Sequence, residues 1–271
     1  MNKKLIALDM DGTLLYDWST LHTQTKNYLL SLQEKGHVIV IATGRPYRSS
    51  DPFYDLLQLR TPIINFNGGI ITSKHDPQFK RVETYIDKAP MIDIYHANQS
   101  LFHNAFYERI DDIFLHIDEE SLYPFLHLND MAKLVIGPID ETLPDEVNGG
   151  IVIAQHGNGP LIEKYIKTKW QGVVDSRNWD EHGEFDILEL YTPKTNKGLA
   201  LDYVASYLGF GREDIIAFGD GINDFELLQY AGTGIAVANA HPDLKKIADI
   251  VSPKNHQQFP IEFHLNQLLD K

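Results

Sequence analysis

An α/β fold, with a parallel sheet covered on both faces by helices and a smaller α/β domain inserted into it, is what this sequence predicts, on three observations. Short apolar runs at residues 5–8, 38–42 and 215–218 each stop at a polar cluster of Asp, Gly, Thr or Arg. The runs are continuous rather than alternating, as in strands buried on both faces. Stretches with apolar residues at helical intervals stand between them, and from about residue 86 to 190 the pattern becomes a separate succession of strands and helices.

Composition narrows the function. A chain of 271 residues with 43% apolar residues and no low-complexity tract can bury one large core or a core and an inserted domain. The absence of cysteine excludes disulfides, thiolate nucleophiles and Cys-ligated zinc or iron–sulfur sites, and gives no sign of an oxidising compartment. Lys3 and Lys4 precede an apolar run too short for a signal peptide or a membrane span, and that run ends in acids. A cytoplasmic protein without membrane contact is therefore expected. The formal net charge of −14, from 24 basic against 38 acidic residues, argues against a nucleic-acid groove. An anionic ligand would need local positive charge, from a metal and one or two placed bases.

In chain order, the run at 5–8 ends in Asp9 and Asp11, two apart, so in extended chain both carboxylates leave on one side at the carboxyl edge of the sheet. Such neighbours repel unless a cation or a shared proton intervenes. A calcium loop counted from Asp9 needs Glu at its twelfth position, which here is Thr20. Residues 22–34 are patterned as a helix around Tyr28, Leu29 and Leu32, stopped at Gly36, and a strand at 38–42 ends in Thr43-Gly44-Arg45-Pro46. Residues 63–65 read as a third core strand that turns through Asn67-Gly68 into a hairpin over 70–73. Asn67 is foremost a turn residue and secondarily a substrate contact.

The insert has helices at 90–98 and 160–170 and strands at 112–117, 133–136, 151–154 and 186–191, with hinges near 84–88 and 191–193. Its histidines are scattered, and none of the chain's 12 makes a clustered ligand pattern. His156, in a glycine-bearing turn, is kept as a possible substrate contact. The core resumes with a helix at 199–208. Lys197 lies at its start, where the helix dipole disfavours a cation, so an anion must outweigh the dipole. The strand at 215–218 ends in Gly219-Asp220-Gly221-Ile222-Asn223-Asp224, followed by helices at 225–230, 241–249 and 260–269 and a strand at 233–237. A second acidic cluster at a second strand end is poorly explained by helix capping alone.

Asp9-Met10-Asp11-Gly12-Thr13-Leu14, following a hydrophobic strand, resembles the first motif of the haloacid dehalogenase-like (HAD) phosphatase superfamily. Thr43-Gly44 resembles the second motif, with Arg45 as the extension of the Cof-type branch; Lys197 resembles the third, and the stretch from Gly219 to Asp224 the fourth. The resemblance implies a Rossmann-like core made of residues 1–85 and 191–271 and an α/β cap, for substrate specificity, at 86–190. It implies phosphatase chemistry on small phosphorylated metabolites such as sugar phosphates, nucleotides or phosphorylated cofactors. Asp9 is then the nucleophile that forms an aspartyl-phosphate, and Asp11 the general acid and base. The Asp9 carboxylate, the Asp11 backbone carbonyl and the Asp220 carboxylate would hold Mg²⁺, with Asp224 orienting a metal-bound water. Thr43, Asn223, Lys197 and the amides of Met10 and Gly44 would hold the phosphate, and Arg45 is a possible substrate contact. Two alternatives remain at this stage: a phosphomutase, or a catalytically idle HAD scaffold used for ligand sensing or partner binding. Oligomeric state and physiological substrate are not legible.

Overall fold

The computed structural model describes residues 3–180 and 183–269. It forms two compact units, one of Met1–Arg45, Ser50–Val82 and Thr195–Lys271, the other of Pro46–Ser49 and Glu83–Lys194.

The first unit begins with Leu5–Leu8 (β1), Thr23–Glu34 (α1) and Val38–Ile41 (β2). His22 caps α1 by accepting from the Gln24 amide at 3.2 Å, and Leu29 and Leu32 form its buried side. Next comes Tyr47–Leu56 (α2), a helix that the sequence pattern does not announce because Pro52 lies within it. Ile63–Asn65 (β3) and Ile70–Thr72 (β4) pair as the expected antiparallel hairpin. They stand outside the main sheet, touching it through a single parallel bridge from Ile64 to Ala42. Val82–Glu83 (β5) closes this segment.

The second unit contains Ile86–Asp87 (β6), Lys88–Asn98 (α3), Phe102–Arg109 (β7), Asp112–Leu115 (β8), Tyr123–Leu126 (α4), Leu134–Ile136 (β9) and Ile139–Thr142 (α5). It continues with Glu146–Val147 (β10), Gly149–Gln155 (β11), Gly159–Lys169 (α6), Asp175–Asp180 (β12) and Phe185–Tyr191 (β13). Six strands make one sheet in the order β12-β13-β11-β7-β8-β9, antiparallel except for the β8–β9 pair. Met91 and Ile94 of α3 and Ile162 and Ile166 of α6 pack on one face with Tyr107, Val152 and Leu188. Strands β7 and β12 go beyond the expected set, since His103, Asn104, Glu108, Arg177 and Asn178 dilute their apolar pattern. Pro46–Ser49, placed with the core by sequence, belong to this unit, because Arg48 is buried among its residues.

The chain then returns to the first unit as Lys197–Leu208 (α7), Ile215–Gly219 (β14), Phe225–Tyr230 (α8), Thr233–Ala236 (β15), Pro242–Ile247 (α9), Ile250–Val251 (β16) and Pro260–Leu269 (α10). Its sheet is wholly parallel in the order β16-β15-β14-β1-β2, with Leu8 level with both Phe218 and Ile41. All four residues of β1 are buried, as its central place demands. Succession runs one way from β1 to β2 and the other way from β14 to β16. The switch point where such sheets bind ligands therefore lies between β1 and β14.

Candidate active site

At that switch point the Asp9 amide still donates to the Phe218 carbonyl at 3.1 Å, so the ladder carries the carboxylate just past the sheet edge. The chain then makes a wide turn, closed by the Leu15 amide on the Met10 carbonyl at 2.9 Å. Gly12 in this turn has φ +72°, and a Cβ there would strike the carboxylate of Asp220, so both backbone and space require glycine.

Lys197, the first residue of α7, is wholly buried and places its Nζ 2.6 Å from Asp9 Oδ1 and 2.6 Å from Asp224 Oδ1. These are the anions that outweigh the helix dipole. Burial works against the lysine's charge, but Asp224 and Asp9 overcome it and raise its pKa. The other oxygen of Asp224 accepts from the amides of Asp220 and Gly221, both at 2.9 Å. Asp224 is thus bound on both oxygens and holds the β14–α8 loop in shape. Asp220 Oδ1 accepts from the Thr13 hydroxyl at 3.0 Å.

Asp9, Asp220 and Asp224 each bring a carboxylate oxygen within 4.8 Å of the others. Three carboxylates share one lysine, which leaves an excess of negative charge in a buried place. Asp9 is accordingly pushed well above the ordinary carboxylate range, by burial first and then by Asp224, with Lys197 compensating only partly. Burial and Asp224 likewise push Asp220 up to about 7. An all-oxygen, electron-rich cluster of this kind fits a hard divalent cation. Asp11 stands apart from it. The Arg45 guanidinium binds its carboxylate through Nε at 2.7 Å and Nη2 at 2.5 Å, and Nη2 also donates to the Trp18 carbonyl at 2.7 Å. The repulsion expected between Asp9 and Asp11 is thus relieved by two different basic side chains.

Thr43 is fully buried at the end of β2, and its hydroxyl oxygen accepts from the Arg45 amide at 3.1 Å. Its hydroxyl proton is left for an acceptor. Asn67, in left-handed backbone with φ +53°, donates its amide to the Thr43 carbonyl at 3.0 Å and accepts from Asn223 Nδ2 at 2.9 Å. It therefore links the loops after β2 and β14, a turn and linking role in line with its first expectation. Gly44 packs against it. A cleft of about 310 Å³ opens in this unit beside Asp11, Gly12, Asp17, Trp18, Asp220 and His256. His156 belongs to the second unit, where it lies exposed, 3.5 Å from Asp186, which accepts the Gly159 amide and holds that turn.

Two residues of the cluster escape sequence reasoning. Thr13 sits inside the first motif, and a hydroxyl two residues beyond Asp11 was a signal available to be used. Asn239, which donates to the Gly12 carbonyl at 2.8 Å and lies 3.4 Å from Asp220 Oδ2, follows β15 with no local pattern to mark it.

The sequence pattern of the haloacid dehalogenase-like hydrolases matches residues 6–258. The chain is 34% identical over 254 residues to a 5-amino-6-(5-phospho-D-ribitylamino)uracil phosphatase of Bacillus subtilis (strain 168), covering 93% of each protein. It is 28% identical over 284 residues to a pyridoxal phosphate phosphatase of Escherichia coli (strain K12), covering 99% of this chain and 100% of that one. The crystal structure of a haloacid dehalogenase-like hydrolase from Bacteroides thetaiotaomicron shares the fold, with a TM-score of 0.80 at 24% identity over 98% of this chain and 100% of that one. This chain belongs to the haloacid dehalogenase-like hydrolases, in their Cof-type branch, and is a phosphatase of phosphoric monoesters.

Proposed function

We propose that the enzyme is a Mg²⁺-dependent phosphatase of small phosphorylated metabolites of the cytoplasm, working through an aspartyl-phosphate on Asp9. The observation that carries this is Lys197 bridging Asp9 and Asp224 at 2.6 Å each, beside Asp220, where β1 and β14 end. Phosphoryl transfer needs a placed nucleophile, neutralisation of the phosphate oxygens and a proton for the leaving group. Asp9 supplies the first. Lys197, the Thr43 hydroxyl, Asn223 and the amides of Met10 and Gly44 supply donors for the second. Asp11, kept apart from the cluster by Arg45, protonates the leaving alcohol and then takes a proton from the water that hydrolyses the acyl-phosphate. The carboxylates of Asp9 and Asp220 and the carbonyl of Asp11 are the residues that would hold Mg²⁺, with Asp224 keeping the loop of Asp220 in place. When bound, the ion neutralises charge on the phosphate and on Asp9.

The second unit, expected as residues 86–190, serves in this reading as the cap that chooses the leaving group and excludes water. The two relatives named above are phosphatases of a phosphorylated ribitylaminouracil and of pyridoxal phosphate. They support substrates that pair a phosphomonoester with a nitrogen heterocycle. Incubation with a panel containing both compounds, sugar phosphates and nucleotides, with assay of inorganic phosphate, tests the proposal. Turnover of the heterocyclic esters above the rest is expected, and no phosphate release from any member in Mg²⁺ would refute it. Retention of the phosphoryl group on sugar isomers would instead indicate a mutase.

A further inference from the structure

Arg48 is a charged residue buried where the chemistry described so far does not use it. It is 1% exposed, and residues of the second unit bind its backbone amide and carbonyl and the Nε and Nη2 of its guanidinium. Its amide donates to Asp111 Oδ1 at 3.0 Å, and its carbonyl accepts from Asn129 Nδ2 at 3.0 Å. That carbonyl is available because Pro52, four residues on in α2, has no N–H to offer it. The guanidinium donates to the Leu126 carbonyl from Nε at 3.2 Å and from Nη2 at 2.9 Å, and Nη2 pairs with the buried carboxylate of Glu108 on β7.

Such a pair is a poor way to gain stability. Desolvation of both ions rivals their attraction, and an apolar pair of similar size is often as stable or more so. In keeping with this, burial raises the pKa of Glu108 despite the neighbouring arginine. What directional partners on two separate segments, 108–111 and 126–129, do supply is a fixed register. The fixed residue lies three positions after Arg45 and five after Thr43, and α2 passes from the second unit to the first between Ser49 and Ser50. The chain therefore crosses between the units not only at 82–83 and 194–195 but also at 45–46, directly after the Thr43–Arg45 loop, and at 49–50 inside this helix.

We propose that Arg48 is a positioning residue for phosphoryl transfer: held by Glu108, Asp111, Leu126 and Asn129, it makes the placement of the Thr43–Arg45 loop depend on the second unit. This rests on the phosphate-binding role assigned above to Thr43 and Gly44. The dependence extends to substrates whose leaving group is too small to need a cap, because the loop grips the phosphate itself.

The test uses the full-length enzyme with Mg²⁺ and acetyl phosphate, comparing the parent with the double variant Arg48→Met/Glu108→Leu and with Arg48→Lys. The double variant removes both buried charges together and is expected to melt close to the parent. Its kcat should fall about tenfold or more, since small misplacements of catalytic groups are that costly, while KM changes little. Arg48→Lys keeps the charge beside Glu108 but loses the two-pronged grip on Leu126, and should lower kcat about threefold or more at unchanged KM. A folded double variant with parental kcat overturns the proposal; if it does not fold, parental kcat in Arg48→Lys does so. A parent that releases no phosphate from any ester refutes instead the phosphatase mechanism on which the proposal stands.

Discussion

Arg45 holds Asp11 by both carboxylate oxygens, at 2.7 and 2.5 Å, and so keeps the carboxylate proposed as general acid out of the three-carboxylate cluster that includes Asp9, two residues away. Removing the grip should hurt most where protonation of the leaving group matters. Arg45→Met is expected to lower kcat on an alkyl phosphate about tenfold, and on acetyl phosphate, whose leaving group needs little help, much less. Steady-state kinetics on both substrates checks this, and equal losses would remove Arg45 from the proton-transfer step.

Asp9→Asn should retain the fold and lose turnover by about four orders of magnitude or more, since the amide is neither a nucleophile nor a charge for the metal. Circular dichroism establishes folding, and phosphate release measures the loss. A folded variant within tenfold of the parent would end the aspartyl-phosphate assignment.

Lys197→Met leaves Asp9 and Asp224 buried without their shared cation. Breaking a buried pair in this way costs about 3–5 kcal/mol, and urea unfolding in chelator should show a loss of that order. Mg²⁺ should restore part of the stability but not the activity. An unfolding midpoint equal to that of the parent would mean that the carboxylates are neutral in the folded protein and need no lysine.

The metal-free protein should become less stable as pH rises from about 4 towards neutrality. Asp220 ionises at about 7 in the fold but near 3.8 in the unfolded chain, so between these values the folded state binds the extra proton and loses that advantage with each rise in pH. Mg²⁺ competes with this proton, so the rise in melting temperature that it produces should be larger at pH 7 than at pH 5. A pH-independent shift would place the ion elsewhere. In the assay, excess chelator should silence the enzyme, and Mg²⁺ should restore it better than Ca²⁺, whose looser shell misplaces the reacting groups.

The chemistry was more legible in the sequence than the architecture around it. Asp9, Thr43, Lys197 and Asp220 announce themselves because each ends a strand or begins a helix, where a polar cluster breaks an apolar pattern. Lys197 could even be assigned an anionic neighbour from the helix dipole alone. Helix α2 was hidden because Pro52 reads as a breaker, although the carbonyl it leaves free finds Asn129. Strand β7 was hidden because the buried polar groups Asn104 and Glu108 interrupt its alternation, and they find Ile117, Glu119 and Arg48 only once the chain has folded back, while Arg177 and Asn178 hid β12 in the same way. Arg48 and Asn239 have no local signal, since their roles exist only once remote segments have met.

The adjacency of β1 and β14, joined in register from Leu5 beside Ile215 to Leu8 beside Phe218, also sets an order of events during synthesis. Asp9 leaves the ribosome long before Lys197 and Asp220, which follow it by about 190 and 210 residues. Until then the central strand lacks one of its two neighbours, and Asp9 has neither Lys197 nor Asp224 beside it. A nascent chain thus cannot assemble the cluster before Asp220 has emerged, and β1 must be kept from mispairing until β14 arrives.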